Sequence, residues 1–321
     1  MEKYILGVEI GGTKLQLAIS SRDGEILDTH QGRVNVDAGA LGIREWLEDH
    51  IPAMFSRVSD LKGELVALGC GFGGPIDSAK GEVLKSVQIP GWSGFPLKAW
   101  FEEKFNLPTV IANDSNAATW GEYNNGSGVG SRYFFYTNMG SGVGGGIVIN
   151  GQLYDGQGYG AGEFGQTYVP DWTHDQPGKP EKIENLCSGW AIEERLRTAK
   201  YVPHDSFLME LAGGDAQAID ARKLVEAARA CDEFALKEID LIAYSMGLGL
   251  ANMLCLVNVE VIAIGGGVSN MGDLLIEPIK KYAQKYEFIS SHKNYKIGKC
   301  ELGDSIVLVG AILITRDTLN L

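Results

Sequence analysis

Much is scarce in this 321-residue chain, and each scarcity removes a class of protein. Its five cysteines, Cys70, Cys187, Cys231, Cys255 and Cys300, lie far apart with no C-x-x-C pair, which excludes a disulfide scaffold or a cysteine-rich metal site. Reduced thiols, mostly buried, are expected, because segments such as ALGCGF and NMLCLV are apolar. Basic charge is in deficit. The formal net charge of −13 is spread along the chain without a basic cluster, so no nucleic-acid partner is expected. No apolar run approaches the roughly 20 residues that span a bilayer, and the opening MEKYILGVEI has no leader pattern. A cytoplasmic protein with no membrane partner is expected. The phosphate-loop motif G-x-x-x-x-G-K-[ST] does not occur.

What is present is apolar content, 45%, enough for a large core, and a length that suits two domains at roughly 100–200 residues each. Glycine is abundant, and its 43 residues cluster after strand-like runs in EIGGTK, GCGFGGP, NMGSGVGGGIV and AIGGGVS. Such clusters mark sharp turns or a close approach of backbone to ligand. Residues 4–19 read as strand, glycine turn, strand, and RYFFYTNMGSGVGGGIVINGQLY repeats that pattern. Strands are expected at 65–69, 109–112 and 259–264. Helices are expected at 42–59, bent or interrupted at Pro52, through most of 216–257, and at 273–286. The segment SIVLVGAILITRDTL suits a helix or a helix-strand mixture.

Two clusters match G-x-G-x-x-G, at Gly69, Gly71, Gly74 and at Gly140, Gly142, Gly145. A dinucleotide-binding turn must open a helix, whereas the first runs into Pro75 and the second into another strand. The alternatives are ordinary tight hairpins or paired hairpins that wrap phosphates with backbone N–H groups, Thr13 and Ser141 adding hydroxyl donors. Gly265–Gly267, after a strand and before a helix, suits a base and ribose passing close to backbone. In TVIANDSNAATWGE, Asn113 and Asp114 sit where a strand gives way to a helix. A helix cap or a catalytic carboxylate would each explain Asp114.

Taken in order, VEIGGTKLQLAI, GFGGPID, IPGW, NDSNAATWGE, TNMGSGVGGGIVINGQLYDG, GAGEFGQ and IGGGVS resemble the ROK family of sugar kinases, over about Tyr4 to Leu319. The resemblance implies a two-domain α/β fold of the actin-like ATPase (ribonuclease H-like) type with a cleft between domains. The expected divisions are residues 1–115 with 303–321, and 116–302. It also implies ATP with Mg2+ as donor, a hexose as acceptor and a homodimer. By the same resemblance Asp114 is the general base, and Gly73, Gly74, Asn113, Asp114, Glu163, Gln166 and Glu184 meet the sugar. Gly11, Gly12, Thr13, Lys14, Gly140, Ser141 and Gly142 would hold phosphates, and Gly265, Gly266 and Gly267 would flank adenosine.

The chain departs from the family pattern twice. Gln166 stands where relatives carry a His that joins a C-x-C-G-x-x-G-C zinc motif, and the following interval offers only His174 and Cys187. Four zinc ligands are lacking, so no zinc is expected. The loop is expected to be held by Tyr168, Val169, Trp172 and the prolines Pro170, Pro177 and Pro180. Glu9 replaces the usual Asp, leaving two readings, an indirect Mg2+ contact and a pairing with Lys14. Glucose phosphorylated at its 6-hydroxyl is the expected reaction. Fructose, mannose or an N-acetylhexosamine as acceptor, or a sugar-binding regulator without catalysis, are the alternatives.

Overall fold

The computed structural model describes residues 1–86, 89–157, 161–174, 178–291 and 294–321. The chain forms two compact units, one of Met1–Arg132, Gly146–Ala161 and Glu301–Leu321, the other of Tyr133–Gly145 and Gly162–Cys300. Residues 116–132 and 146–161 thus join the first unit, where a boundary at 115/116 was expected.

The chain begins with strands β1 (Glu2–Ile10), β2 (Lys14–Ser20) and β3 (Ile26–Arg33), helix α1 (Gly39–Asp60) and strand β4 (Gly63–Phe72). A short ribbon of β5 (Ile76–Asp77) and β6 (Glu82–Val83) follows, then α2 (Leu97–Phe105), β7 (Thr109–Asn113) and α3 (Asp114–Asn125). The sheet order is β3-β2-β1-β4-β7. Helix α1 is continuous through Pro52, whose side chain is exposed, while Ile43, Leu47, Ile51, Met54 and Val58 form the buried stripe. Spacing of three or four residues puts these side chains on one face, over the sheet residues Leu6, Val8, Leu15 and Leu17 of the same core.

Strands β1, β4 and β7 run parallel, with Ile10 opposite Phe72 and Phe72 opposite Asn113. The next residue of each, Gly11, Gly73 and Asp114, therefore emerges at one edge of the sheet, beyond the strands' carboxyl ends, where open α/β sheets place ligands.

The second unit starts with β8 (Tyr133–Met139) and the first residues of β9 (Val143–Ile149); β10 (Gln152–Tyr154) pairs with the far end of β9. Strands β11 (Tyr168–Pro170) and β12 (Pro180–Lys182) form an antiparallel ribbon. Helices α4 (Ile183–Cys187), α5 (Gly189–Arg197), α6 (Phe207–Leu211), α7 (Ala221–Arg229) and α8 (Glu233–Val257) precede β13 (Val261–Gly265), α9 (Asp273–Tyr286) and β14 (Lys296–Lys299). Here β13 lies parallel to both β8 and β14. Contrary to the expectation that no segment approaches a membrane span, α8 has the length and apolar composition to cross one. Its Ile239, Ile242, Met246, Leu250 and Leu254 are buried within the unit.

The last segment is α10 (Ile306–Leu319), entirely helical, back in the first unit. It crosses α3 at backbone distance. A Cβ on Gly310 would fall inside the Ala117 carbonyl, and one on Gly121 would lie 2.7 Å from the Ile306 oxygen. Glu122, fully buried, fastens the same crossing by accepting from the backbone N–H groups of Ser127, Glu301 and Leu302 at 3.0, 2.6 and 3.2 Å.

Only Cys70 and Cys187 are buried, while Cys231 and Cys255 are exposed, which corrects the expectation of mostly buried thiols. Burial pushes the Cys187 thiol up to about 12, so it stays protonated and inert.

Gly310→Ala is expected to cost about 3 kcal/mol of stability, the upper range for overpacking, because backbone and not a flexible side chain must yield. The denaturant midpoint checks this; a midpoint equal to the parent's would show that α3 and α10 separate without penalty.

Candidate active site

In the first unit, the predicted residues gather at the β1, β4 and β7 ends. Asn113 is the N-cap of α3, its side-chain oxygen accepting from the N–H groups of Ser115 (3.0 Å) and Asn116 (3.1 Å). Its amide nitrogen donates to the Gly74 carbonyl at 3.1 Å. The cap is therefore Asn113, and Asp114 occupies the first helical turn. One Asp114 oxygen accepts the Ser115 N–H at 2.7 Å. The other faces Gly73, where a Cβ would come within 3.4 Å of it. Gly73 is itself tied to β1, donating to the Ile10 carbonyl at 2.8 Å.

The Gly11–Thr13 turn closes through a bond from the Gly11 N–H to the Lys14 carbonyl at 3.0 Å, leaving Thr13 exposed. Lys14 turns to Glu9, 3.5 Å away, and donates to the Asp304 carbonyl at 3.4 Å. The pairing weighed in the sequence is thus present, but loose: Glu9 Oε2 is buried and has no hydrogen-bond donor. Burial pushes the Glu9 carboxyl up to about 7; Lys14 opposes the shift, and Asp114 and Asp304 add to it. A buried oxygen without a donor, with two carboxylates near enough to be felt, suits a cation that arrives with its own waters and phosphate oxygens. Among the described residues no three His, Cys, Asp or Glu side chains cluster as a metal site.

In the second unit, the Gly140–Gly142 turn is tighter than the first, the Gly140 N–H donating to the Gly142 carbonyl at 2.9 Å, and Ser141 is exposed. Glu184 braces this turn, accepting the Val143 N–H at 2.9 Å, and a Cβ on Gly142 would stand 2.6 Å from its carboxylate. Gln166 donates to the other Glu184 oxygen at 3.1 Å and accepts from Lys182 at 2.8 Å. Glu163, just ahead of Phe164, has its carboxyl raised first by desolvation and then by Glu184.

A cavity of about 780 Å³, within the range of small-molecule sites, opens beside this turn. Gly140, Ser141 and Gly267 line it. Gly265 and Gly266 do not: a Cβ on Gly265 would meet the Tyr136 hydroxyl at 2.6 Å, and one on Gly266 the Met139 backbone at 2.5 Å. Those two glycines serve strand packing. The sequence reading missed Trp190, Arg222 and Asn270 in the wall. A signal for part of it was present, since Arg222, Glu226 and Arg229 recur at helical spacing on α7.

The loop without cysteines is held much as expected, with one exception. Val169 is buried and Pro170 faces Pro180 across the ribbon, but Tyr168 is 60% exposed. Trp172 donates to Ser245 Oγ at 2.7 Å and lies under the Arg195 guanidinium, itself paired with buried Glu238 at 2.7 Å. Pro177 falls outside the described residues.

A family model described as "ROK family" matches residues 5–318. A glucokinase of Halalkalibacterium halodurans is 35% identical over 321 residues, 99% of this chain and 97% of that protein. A glucokinase of Streptomyces coelicolor is 31% identical over 97% of both chains. Among solved structures, a ROK family glucokinase from Streptomyces griseus in complex with glucose and AMPPNP matches with a TM-score of 0.81 at 31% identity, over 98% of this chain and 99% of that one. The two sheets thus have the architecture of actin-like ATPases.

The raised Glu9 carboxyl gives a test on the protein free of nucleotide and metal. Folded, Glu9 keeps its proton to about pH 7; unfolded, it loses it near 4.5. Between these values the folded state binds the extra proton, so this group's contribution to stability falls as pH rises, by up to about 3 kcal/mol, and levels off above the window. Glu9→Gln is expected to remove that decline and to be the more stable protein near pH 8. Urea denaturation across about pH 5–8 decides it, and equal slopes in both proteins would show that Glu9 titrates normally.

Proposed function

Because the chain belongs to the ROK family, we propose that it phosphorylates a hexose at the expense of ATP, with glucose as the acceptor and its 6-hydroxyl as the reacting group. That it is a sugar kinase follows from its full-length likeness to glucokinases. The finer reading rests on the junction of β7 and α3: Asn113 does the capping, so the carboxylate next to it is not needed for that purpose.

In this reading the 6-oxygen attacks the γ-phosphorus of ATP, the bond to the bridging oxygen breaks, and ADP leaves. The hydroxyl proton passes to Asp114. Transfer of this kind has a loose transition state, so the protein contributes mainly position and charge stabilisation, with the base orienting the nucleophile. Small residues at Gly11–Thr13 and Gly140–Gly142 bring backbone N–H groups to the phosphates, with Lys14 released from Glu9 as a further donor. Gly267 borders the nucleoside. By the family resemblance, Glu163, Glu184, Gln166 and the remaining Asn113 N–H are the groups for sugar hydroxyls, together with Gly73 and Gly74. Glu9 would hold Mg2+ through water, and the ion, when bound, neutralises phosphate charge. A cytoplasmic homodimer belongs to the same proposal; the exposed apolar side chains of Leu256, Phe288 and Ile289 support self-association.

ADP release with magnesium and ATP, across glucose, mannose, fructose, N-acetylglucosamine and N-acetylmannosamine, tests this directly. Glucose is expected to give the highest kcat/KM. Asp114→Asn is expected to bind glucose as the parent does and to lose at least about 10²–10⁴-fold in kcat, the contribution typical of a general base. Near-normal turnover in that variant would remove Asp114 from the chemistry.

A further inference from the structure

Gln166 is anchored at both ends of its amide. Its oxygen accepts from Lys182 Nζ at 2.8 Å and its nitrogen donates to Glu184 Oε1 at 3.1 Å. An ammonium has donors only and an ionised carboxylate acceptors only, so these neighbours permit one orientation of the amide. A 180° flip would set the NH2 group against the ammonium and the oxygen against the carboxylate.

We infer that Lys182 is the positioning residue that sets sugar affinity and selectivity, by locking Gln166 so that its second N–H points as a donor toward an oxygen of the bound sugar. The inference rests on the sugar-kinase reading of this site.

The local fold supports it. Lys182 is the last residue of β12 and pairs with Tyr168 of β11, two residues beyond Gln166, so a short ribbon fixes the spacing of the two side chains. Glu184 follows two residues later in the first turn of α4. Its other oxygen is held by the Val143 N–H at 2.9 Å, a bond that does not depend on Gln166. Losing Lys182 therefore frees the amide to rotate while Glu184 stays braced against the glycine turn. The phosphate side of the site should be spared. The cation also sits one amide away from a pair of carboxylates, since Glu184 is close enough to raise Glu163.

The test is Lys182→Met, which keeps the length of the stem and removes the charge, with Lys182→Arg as the conservative rescue. Glucose affinity is measured by calorimetry without ATP, alongside steady-state kinetics for glucose, mannose and ATP. In Lys182→Met, glucose Kd and KM are expected to rise about tenfold, and the preference for glucose over mannose to fall. Meanwhile kcat, the KM for ATP and the thermal midpoint should stay close to the parent's. Lys182→Arg should recover most of the affinity, because a guanidinium also only donates. Glucose affinity and selectivity unchanged in Lys182→Met would overturn the inference, as would a common decline in kcat, ATP binding and melting temperature, the signature of a merely structural residue. A parent that binds glucose yet transfers no phosphate would end the kinase reading, with the affinities still deciding the role of Lys182. A parent that binds no sugar would end both.

Discussion

Helices α3 and α10 meet backbone to backbone, and the geometry of the first unit's site depends on that meeting. Asp114 opens α3, so anything that moves the helix moves the carboxylate. Gly121 and Gly310 allow the approach by leaving no Cβ at the crossing, and Glu122 secures it by accepting from the N–H groups of residues just before α10. A carboxylate so buried must be matched by donors, since burying it alone would cost far more than the crossing returns. At this point Glu122 is fully buried with backbone donors around it, and the segment leading into α10 is thereby joined to the helix that Asp114 opens.

The two glycine turns solve one problem with different supports. In the first unit, the carboxyl ends of three parallel strands bring the turn, Gly73 and Asp114 together, and the charged neighbour of the turn is a loosely paired Glu9–Lys14 couple. The second unit braces its turn with a carboxylate from a helix, Glu184, held by Val143 and Gln166. A buried acid with a weak partner is a poor device for stability, because desolvation offsets the attraction. Beside a glycine turn, such a couple is one that a bound cation or phosphate would complete. The Glu184 cluster is more exposed and better satisfied, so its orientation is held by its own hydrogen bonds.

Much of the architecture was legible because periodicity and strand-end glycines are local signals. The strands at 109–112 and 259–264 and the helix at 273–286 emerge nearly where the pattern places them. Other features needed tertiary context. Proline at position 52 reads as a bend or an interruption, and α1 is not interrupted there, the ring facing solvent. The closing segment reads as apolar without a clear period because α10 packs on both α3 and the sheet, so its burial extends around the helix. Cys255 lies in an apolar stretch of sequence, but its exposure is set by the side of α8 it falls on, while Cys231 sits at a turn among charged neighbours.

The site was legible in its residue types and less so in their duties. Adjacent Asn and Asp at a strand-to-helix junction are interchangeable as caps on propensity alone. Only coordinates show Asn113 spending its amide on two N–H groups and the Gly74 carbonyl, with Asp114 turned toward Gly73. Gln166 illustrates the same limit: the sequence shows an amide in place of an imidazole, whereas its partner Lys182 lies sixteen residues away and meets it through a ribbon. On the proposed reading, Lys182 stands behind the Gln166 amide as a zinc ion stands behind the imidazole that the family resemblance implies at this position, each a cation behind the group offered to the sugar. Such a cation fixes which polar atom is presented and strengthens it as a donor, because hydrogen bonds to charged groups polarise the groups beyond them. On that reading, the absence of the cysteines and His is compatible with sugar binding, because another cation is brought to the same place.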